Sequence, residues 1–283
     1  PDRLTIGLDH SLDAALERAH EEGIANHSSR TLFRIDKDEL TAGYGKIRMN
    51  VAQLFISSSE LDQRRRSLIV DLVKPKFQPP AALPDLPENL NDDQRNAIGK
   101  VLAADDYACI LGMPGTGKTT MIAELVKLLV LQGKTVLLTS YTHSAVDTIM
   151  RKLLDAPETK LLRLGNASKA HQDLKAFTSE VLNSASTVAA LEMSLMGANV
   201  IGTTCLSLGH VIFSRRRFDY CIVDEASQIT LPTCLGPLRF ADRFVLVGDH
   251  FQLPPLVRNP IARDGGLEVS LFKRLSEAHP DSV

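Results

Sequence analysis

Cysteine is scarce in this chain and scattered. Cys109, Cys205, Cys221 and Cys234 lie far apart and show no C-x-x-C spacing. That spacing argues against a metal site, and three of the four fall in apolar runs, so buried free thiols in a reducing compartment are expected. Charge of one sign is also missing. Thirty-two Lys and Arg stand against 34 Asp and Glu, for a formal net charge of −2. The overall electrostatic footprint of a nucleic-acid binder is therefore absent, although a local groove can still be basic. No signal peptide and no apolar run of membrane length is present, which predicts no membrane partner. The chain starts at Pro1 without a methionine, as expected of a piece excised from something longer. Its 283 residues allow one large domain or two modest ones, and 44% apolar and 23% charged residues are ordinary for a globular protein.

What is present is a phosphate-binding loop with every diagnostic position filled. Gly112 to Thr119 read G-M-P-G-T-G-K-T. The five residues before it, Tyr107 to Leu111, suit a buried strand, and Thr120 to Leu131 carry apolar residues at helical spacing up to Gly133. Strand, glycine-rich turn and helix are the context the motif requires. Gly112, Gly115 and Gly117 let successive N–H groups close around phosphate oxygens, with Thr116 and Thr120 flanking. Lys118 reaches the β- and γ-phosphates, and the Thr119 hydroxyl ligates Mg²⁺. A nucleoside triphosphate and Mg²⁺ are the expected ligands.

Prolines at 75, 79, 80, 84 and 87 predict a linker over 75–91. Before it, residues 1–74 read as a small α+β or β-barrel accessory module. It has helical periodicity over 9–22, an alternating strand over Thr31–Ile35 and a helix over 61–73 bearing Arg64, Arg65 and Arg66. After it, over 92–283, strands and helices alternate. Strands are predicted at 134–139, 160–164, 199–203, 218–224 and 243–248, with a helix over 143–154. Near-continuous apolar strands separated by helices indicate an α/β fold with a parallel sheet covered on both faces.

Four strand ends carry chemistry. One strand runs into Asp224-Glu225-Ala226-Ser227-Gln228, where open α/β sheets place their ligands. There Asp224 can hold the Mg²⁺ that bridges β- and γ-phosphates, and Glu225 can orient and deprotonate the attacking water. A second strand ends in G-D-H-F-Q-L-P-P, residues 248–255, from which Gln252 can reach the γ-phosphate; His250 is either structural or site-proximal. Ser140, Thr142 and Thr204 stand at helix starts or strand ends. Such hydroxyls make neutral partners for a nucleic-acid backbone, and they also cap helices everywhere. The triplets Arg64–Arg66 and Arg215–Arg217 read as solvated faces or as contacts to DNA phosphates.

In this order, the phosphate loop, T-S-Y-T-H-S-A-V-D, G-T-T-C, D-E-A-S-Q and G-D-H-x-Q-L-P-P resemble the first RecA-like lobe of superfamily 1 helicases. The branch is the one shared with the nonsense-mediated-decay RNA helicase. L-L-T-S-Y-T-H-S-A-V-D and F-D-Y-C-I-V-D-E-A-S-Q-I, with T-L-F-R-I-D-K-D-E and L-I-V-D-L-V-K-P-K-F upstream, are most similar to the eukaryotic DNA replication helicase/nucleases over roughly residues 30 to 275.

The resemblance implies an ATP-dependent DNA helicase or translocase lobe, with ATP as the triphosphate. Gln94 would recognise adenine, Gly115, Gly117, Lys118 and Thr119 would grip triphosphate, and Asp224 and Glu225 would serve as magnesium ligand and base. Gln252 would sense the γ-phosphate, and Ser140, Thr142 and Thr204 would touch single-stranded or flap DNA. Phe251 departs from the polar residue expected between His250 and Gln252. An RNA or RNA–DNA helicase of the same branch, or a nucleotide-dependent binding module without turnover, are the alternatives. Replication and repair proteins as partners, and the nucleus or also the mitochondrion as location, follow from the same resemblance. The chain ends 28 residues beyond Pro255, too soon for the second lobe with its arginine fingers. The family's iron–sulfur cluster belongs to a nuclease part with four cysteines that nothing here matches. By itself the lobe is expected to bind nucleotide without unwinding.

Overall fold

A computed structural model describes residues 41–56, 59–79, 86–178 and 188–283. The helix and strand expected over 9–22 and 31–35 lie outside these residues. Six strands, β1 (Tyr107–Leu111), β2 (Val136–Ser140), β3 (Leu161–Arg163), β4 (Val200–Thr204), β5 (Phe218–Val223) and β6 (Ala241–Gly248), form one sheet in the order β1-β6-β5-β2-β4-β3. Every pairing is parallel, with Leu111 opposite Gly248, Val223 opposite Leu246 and Ser140 opposite Thr204. The C-terminal ends of β1, β6, β5, β2 and β4 therefore line one edge of the sheet, and the loops leaving them share that edge.

The strands are almost wholly buried, and their side chains alternate between two cores. Leu138, Ile222 and Val245 join Ile98, Ile122, Leu125, Leu129 and Ile149 on one face. Leu137, Cys221, Val223 and Phe244 join Leu68, Phe218, Phe272 and Leu275 on the other. The first face is covered by α3 (Asp92–Ala103), α4 (Lys118–Leu131) and α5 (His143–Arg151). The second takes α2 (Glu60–Ile69), α7 (Ile212–Arg215), α8 (Leu231–Leu238) and α9 (Leu271–Ala278). Two more helices, α1 (Thr41–Ile56) and α6 (Val188–Gly197), and a short helical turn, Pro260–Ala262, are also described. This is the expected parallel sheet covered on both faces, with strand ends shifted from the sequence reading by one or two residues. All four cysteines are buried thiols of its core; burial pushes Cys109 and Cys205 up to about 12.

The division expected at 75–91 falls elsewhere. Ala42–Val283 is one compact unit, because α2 packs into the lobe instead of standing before a linker. Leu68 and Ile69 bury against the Tyr107 and Phe244 face, and Arg65, itself buried, donates to the Ala241 carbonyl at 2.6 Å. Arg64 grips Asp106 through Nε (2.9 Å) and Nη2 (2.6 Å), and the Lys76 N–H donates to the same carboxylate at 2.7 Å. Phe77 then bridges to Ala104. Prolines at 75 and 79 stop a regular element without preventing a single bridge between them. Residues 80–85 of the expected linker lie outside the described set. Arg64 and Arg65 are thus structural ties, neither a solvated face nor open phosphate contacts.

Candidate nucleotide site and its surroundings

The phosphate loop begins where β1 ends, with the Gly112 N–H donating to the Gly248 carbonyl at 3.0 Å. Gly115 and Gly117 take φ values of +77° and +79°, the left-handed region that glycine enters at little cost. A Cβ at Gly112 would lie 2.5 Å from the Lys118 stem, so the loop closes against its own lysine. Lys118 opens α4 and is 13% exposed; its Nζ donates to the Gly112 carbonyl at 2.7 Å and stands 3.8 Å from Glu225. The free N–H groups of the α4 N-terminus add the positive end of the helix dipole. Thr119 and Thr120 are half-buried on that first turn, and Thr116 closes the loop by donating to the Met113 carbonyl at 2.8 Å.

Gln94 reaches this loop from α3. Asn91 and Gln94 form a reciprocal capping box, and the Gln94 Nε2 donates to the Thr116 carbonyl at 2.9 Å. Its amide donor therefore braces the phosphate loop, which leaves the Gln94 side chain beside the nucleotide cradle rather than free in solvent.

At the end of β5, the Asp224 N–H continues the sheet by donating to the Thr139 carbonyl at 2.8 Å. Asp224 is buried and its Oδ1 has no partner. Burial, and then the neighbouring Glu225, push its carboxyl up to about 6. A buried acid oxygen with no donor, beside a triphosphate grip, fits a divalent cation, and Asp224 with Thr119 are the residues that would hold Mg²⁺. Glu225 sits at φ 53°, a left-handed conformation that a non-glycine residue adopts only where its surroundings hold it. It turns the carboxylate toward Lys118.

A raised carboxyl pKa favours the folded state while the acid is protonated and loses that contribution as pH rises through about 6. Asp224→Asn is therefore expected to stabilise the apo protein by about 1–3 kcal/mol at pH 7.5. The advantage over the parent should grow between about pH 4 and pH 6 and level off above it. Paired thermal melts across that range check this, and a variant less stable than its parent at pH 7.5 would contradict it.

The β6 exit is built on a close approach. A Cβ on Gly248 would meet the Ser227 backbone nitrogen at 2.8 Å, and the Asp249 N–H donates to Ser227 Oγ at 3.0 Å. The loops after β5 and β6 are thus locked together. The Asp249 carboxylate accepts from Gln252 Nε2 (2.8 Å) and from the Phe251 N–H (3.0 Å), which hold it below the usual carboxylate range, Gln252 first. Gln252 is thereby aimed from a fixed base. Ser227 and Asp249 lie inside motifs plain in the sequence, yet only the contact shows their bracing role. His250 packs on Phe251 (centroids 4.2 Å apart) and Phe272 (5.8 Å), while Phe251 is 74% exposed. Gly248→Ala must push the Ser227 backbone away, at about 1–3 kcal/mol, and should lower ATP turnover more than Km. Steady-state kinetics with thermal melts read both effects.

The strand-end hydroxyls are placed differently from one another. Thr142 is exposed and caps α5, accepting from the Ala145 N–H at 3.2 Å. Ser140 is buried with its Oγ unpartnered, and Thr204 is buried and donates to Ser207 Oγ at 2.8 Å. Between them Tyr141 is 56% exposed. Below this edge lies a network that sequence reasoning missed. Arg163, 1% exposed, donates through Nε to Asp147 at 2.5 Å, through Nη1 to the Leu164 carbonyl and through Nη2 to His143 Nδ1 at 2.8 Å. Burial, and then Arg163, push His143 below its ordinary value, which keeps it neutral as the acceptor. The only local signal was an arginine inside an apolar strand. In the other triplet, Arg215 pairs with Glu192 at 3.2 Å, Arg216 donates to the carbonyls of Leu195, Met196 and Ala198, and Arg217 reaches Asp242 at 3.4 Å.

A parallel RecA-like sheet with a phosphate loop leaving its edge strand and acids leaving the strands beside it defines a P-loop nucleotide-binding lobe. The chain belongs to the AAA domain family, whose model matches residues 89–194 and 182–260. It is 44% identical over 289 residues to the DNA replication ATP-dependent helicase/nuclease JHS1 of Arabidopsis thaliana, covering 99% of this chain and 21% of that protein. Against the DNA replication ATP-dependent helicase/nuclease DNA2 of Saccharomyces cerevisiae it is 44% identical over 280 residues, with 89% and 18% covered. Against DNA2 of Homo sapiens it is 45% identical over 260 residues, with 87% and 24% covered. The chain thus spans about a fifth of the length of these relatives. Among the described residues no helix is long and apolar enough to cross a membrane.

Proposed function

We propose that this lobe is the first half of an ATP-driven DNA motor within a replication and repair helicase/nuclease. The observation that carries the reading is the meeting of Lys118 with Glu225 at 3.8 Å beside the unpartnered Asp224 oxygen. Grip, metal ligand and base stand at one sheet edge although more than a hundred residues separate them. Lys118 and the N–H groups of the loop hold the β- and γ-phosphates. Glu225 takes the proton of the attacking water, and Gln252, steadied by Asp249, touches the γ-phosphoryl group and signals its loss. Asp224 and Thr119 would hold Mg²⁺, which would supply charge neutralisation at the phosphates.

The adenine contact falls to Gln94, which already braces the loop at Thr116. A nucleotide arriving there would be felt by both the base contact and the phosphate cradle. Thr142 and the backbone around Ser140 and Thr204 form the edge along which a single strand of DNA would lie; the buried hydroxyls of Ser140 and Thr204 shape that edge from beneath. The remainder of the full-length protein supplies the second lobe, its arginines and the iron–sulfur nuclease, acting on flap DNA in the nucleus.

The test is the ATPase of the full-length protein with single-stranded DNA or RNA of equal length. Strong stimulation by DNA, abolished by Lys118→Ala, supports the proposal. Preferential stimulation by RNA would assign the motor to RNA, and turnover retained in Lys118→Ala would overturn the nucleotide site.

A further inference from the structure

A cavity of about 730 Å³ lies apart from the nucleotide edge. It lies between α1, α2, the loop before α7 and the residues that join α8 to β6. Its walls are mixed: Asn50, Gln53, Asp62, His210 and Ser214 contribute polar groups beside apolar and cationic ones. Leu54, Phe213, Leu235 and Phe240 are apolar, whereas Arg65, Arg215, Arg216, Arg217 and Arg239 bring five guanidinium groups.

Four of these cations are already answered. Arg65 pairs with Asp62 at 2.5 Å, Arg215 with Glu192 and Arg217 with Asp242, and Arg216 is committed to three main-chain carbonyls. Arg239 differs. Its guanidinium lies 4.5 Å from the Phe240 ring centroid, its Nε is enclosed without a hydrogen-bond partner, and among the described residues no carboxylate pairs with it. Burial lowers its pKa, with no anion in place to oppose the shift. An enclosed N–H donor without an acceptor is costly, and one on a guanidinium more so. Arg239 lines the cavity, so its guanidinium is a cation there that no carboxylate among the described residues answers.

The chemistry of the walls selects the class of ligand. A strand of nucleic acid is held by several cations, each neutralising its own phosphate. This groove offers one unpaired cation beside apolar side chains. One carboxylate flanked by apolar side chains matches that inventory, since the acid satisfies the planar fork of Arg239 and the apolar groups cover Leu54, Phe213 and Leu235. We propose that this groove docks a short acidic and apolar peptide segment of a protein partner, with a carboxylate of the peptide on Arg239.

The full-length protein can be titrated into a fluorescein-labelled peptide of sequence Asp-Asp-Leu-Phe-Asp-Asp-Leu-Phe and anisotropy recorded. Saturable binding is expected, weakened about tenfold or more by Arg239→Gln. It should be weakened similarly by Val211→Asp, a change at an exposed rim position that opposes the ligand's charge without touching the core. Nucleotide affinity and DNA-stimulated ATPase should be unchanged in both variants, which separates this site from the motor. The proposal is overturned by any of four results: no saturable binding, unchanged affinity in Arg239→Gln, equal affinity for the peptide with every Asp replaced by Asn, or displacement by a twelve-nucleotide oligothymidylate. The last result would assign the groove to nucleic acid instead.

Discussion

Glu225→Gln in the full-length protein is expected to lower ATP turnover by about 10²–10⁴-fold while nucleotide affinity is retained. The amide keeps the size and the left-handed backbone of Glu225 but cannot take a proton. Lys118 loses only a weak 3.8 Å partner, so the phosphate grip survives. Removing a group that acts in the transition state lowers kcat and leaves ground-state binding in place. Rapid-quench turnover beside fluorescent-nucleotide binding separates the two. DNA-stimulated hydrolysis persisting at the parent rate would remove Glu225 from the role of base, and a parallel loss of affinity would reassign it to binding.

Arg163→Met is expected to cost about 3–5 kcal/mol of stability, although Arg163 belongs to no recognised motif. Its guanidinium is fully buried and answers Asp147, His143 and the Leu164 carbonyl at once. Without it the Asp147 carboxylate is left buried with only the His171 N–H, at 2.8 Å, to answer it. Replacing one member of a buried pair costs far more than replacing both. The double variant Arg163→Met with Asp147→Leu should therefore recover at least half of the loss. Thermal melts of the two singles and the double decide it; a single variant within about 1 kcal/mol of the parent would show that the pair contributes little. Because His143 is the first residue of α5, the single variant should also loosen the Tyr141–Thr142 edge and raise the DNA concentration needed for half-maximal stimulation.

Much of the lobe was legible because its information is local. The phosphate loop is one unbroken run whose glycines, lysine and threonine each answer a requirement of a bound phosphate. The strands were visible because a sheet covered on both faces forces near-continuous apolar runs. Asp224 and Glu225 were readable because ligands gather at the C-terminal ends of such strands. Less was visible wherever a side chain finds its partner far along the chain. Arg65 looked like part of a charged run, and its acceptor is the Ala241 carbonyl, 176 residues away. The proline-rich stretch reads as a linker, and nothing local in it announces the bridge from Phe77 to Ala104.

The sequence by itself determined a phosphate-loop motif from Gly112 to Thr119 within a parallel α/β lobe, because backbone torsion and strand burial are written in neighbouring residues. Only the tertiary structure decided which polar groups are free. Arginine and serine look alike in sequence whether paired or orphaned, and their state depends on acceptors that folding brings from elsewhere. Arg215, Arg216 and Arg217 proved to be committed, whereas Arg239 and the Asp224 oxygen were left unanswered.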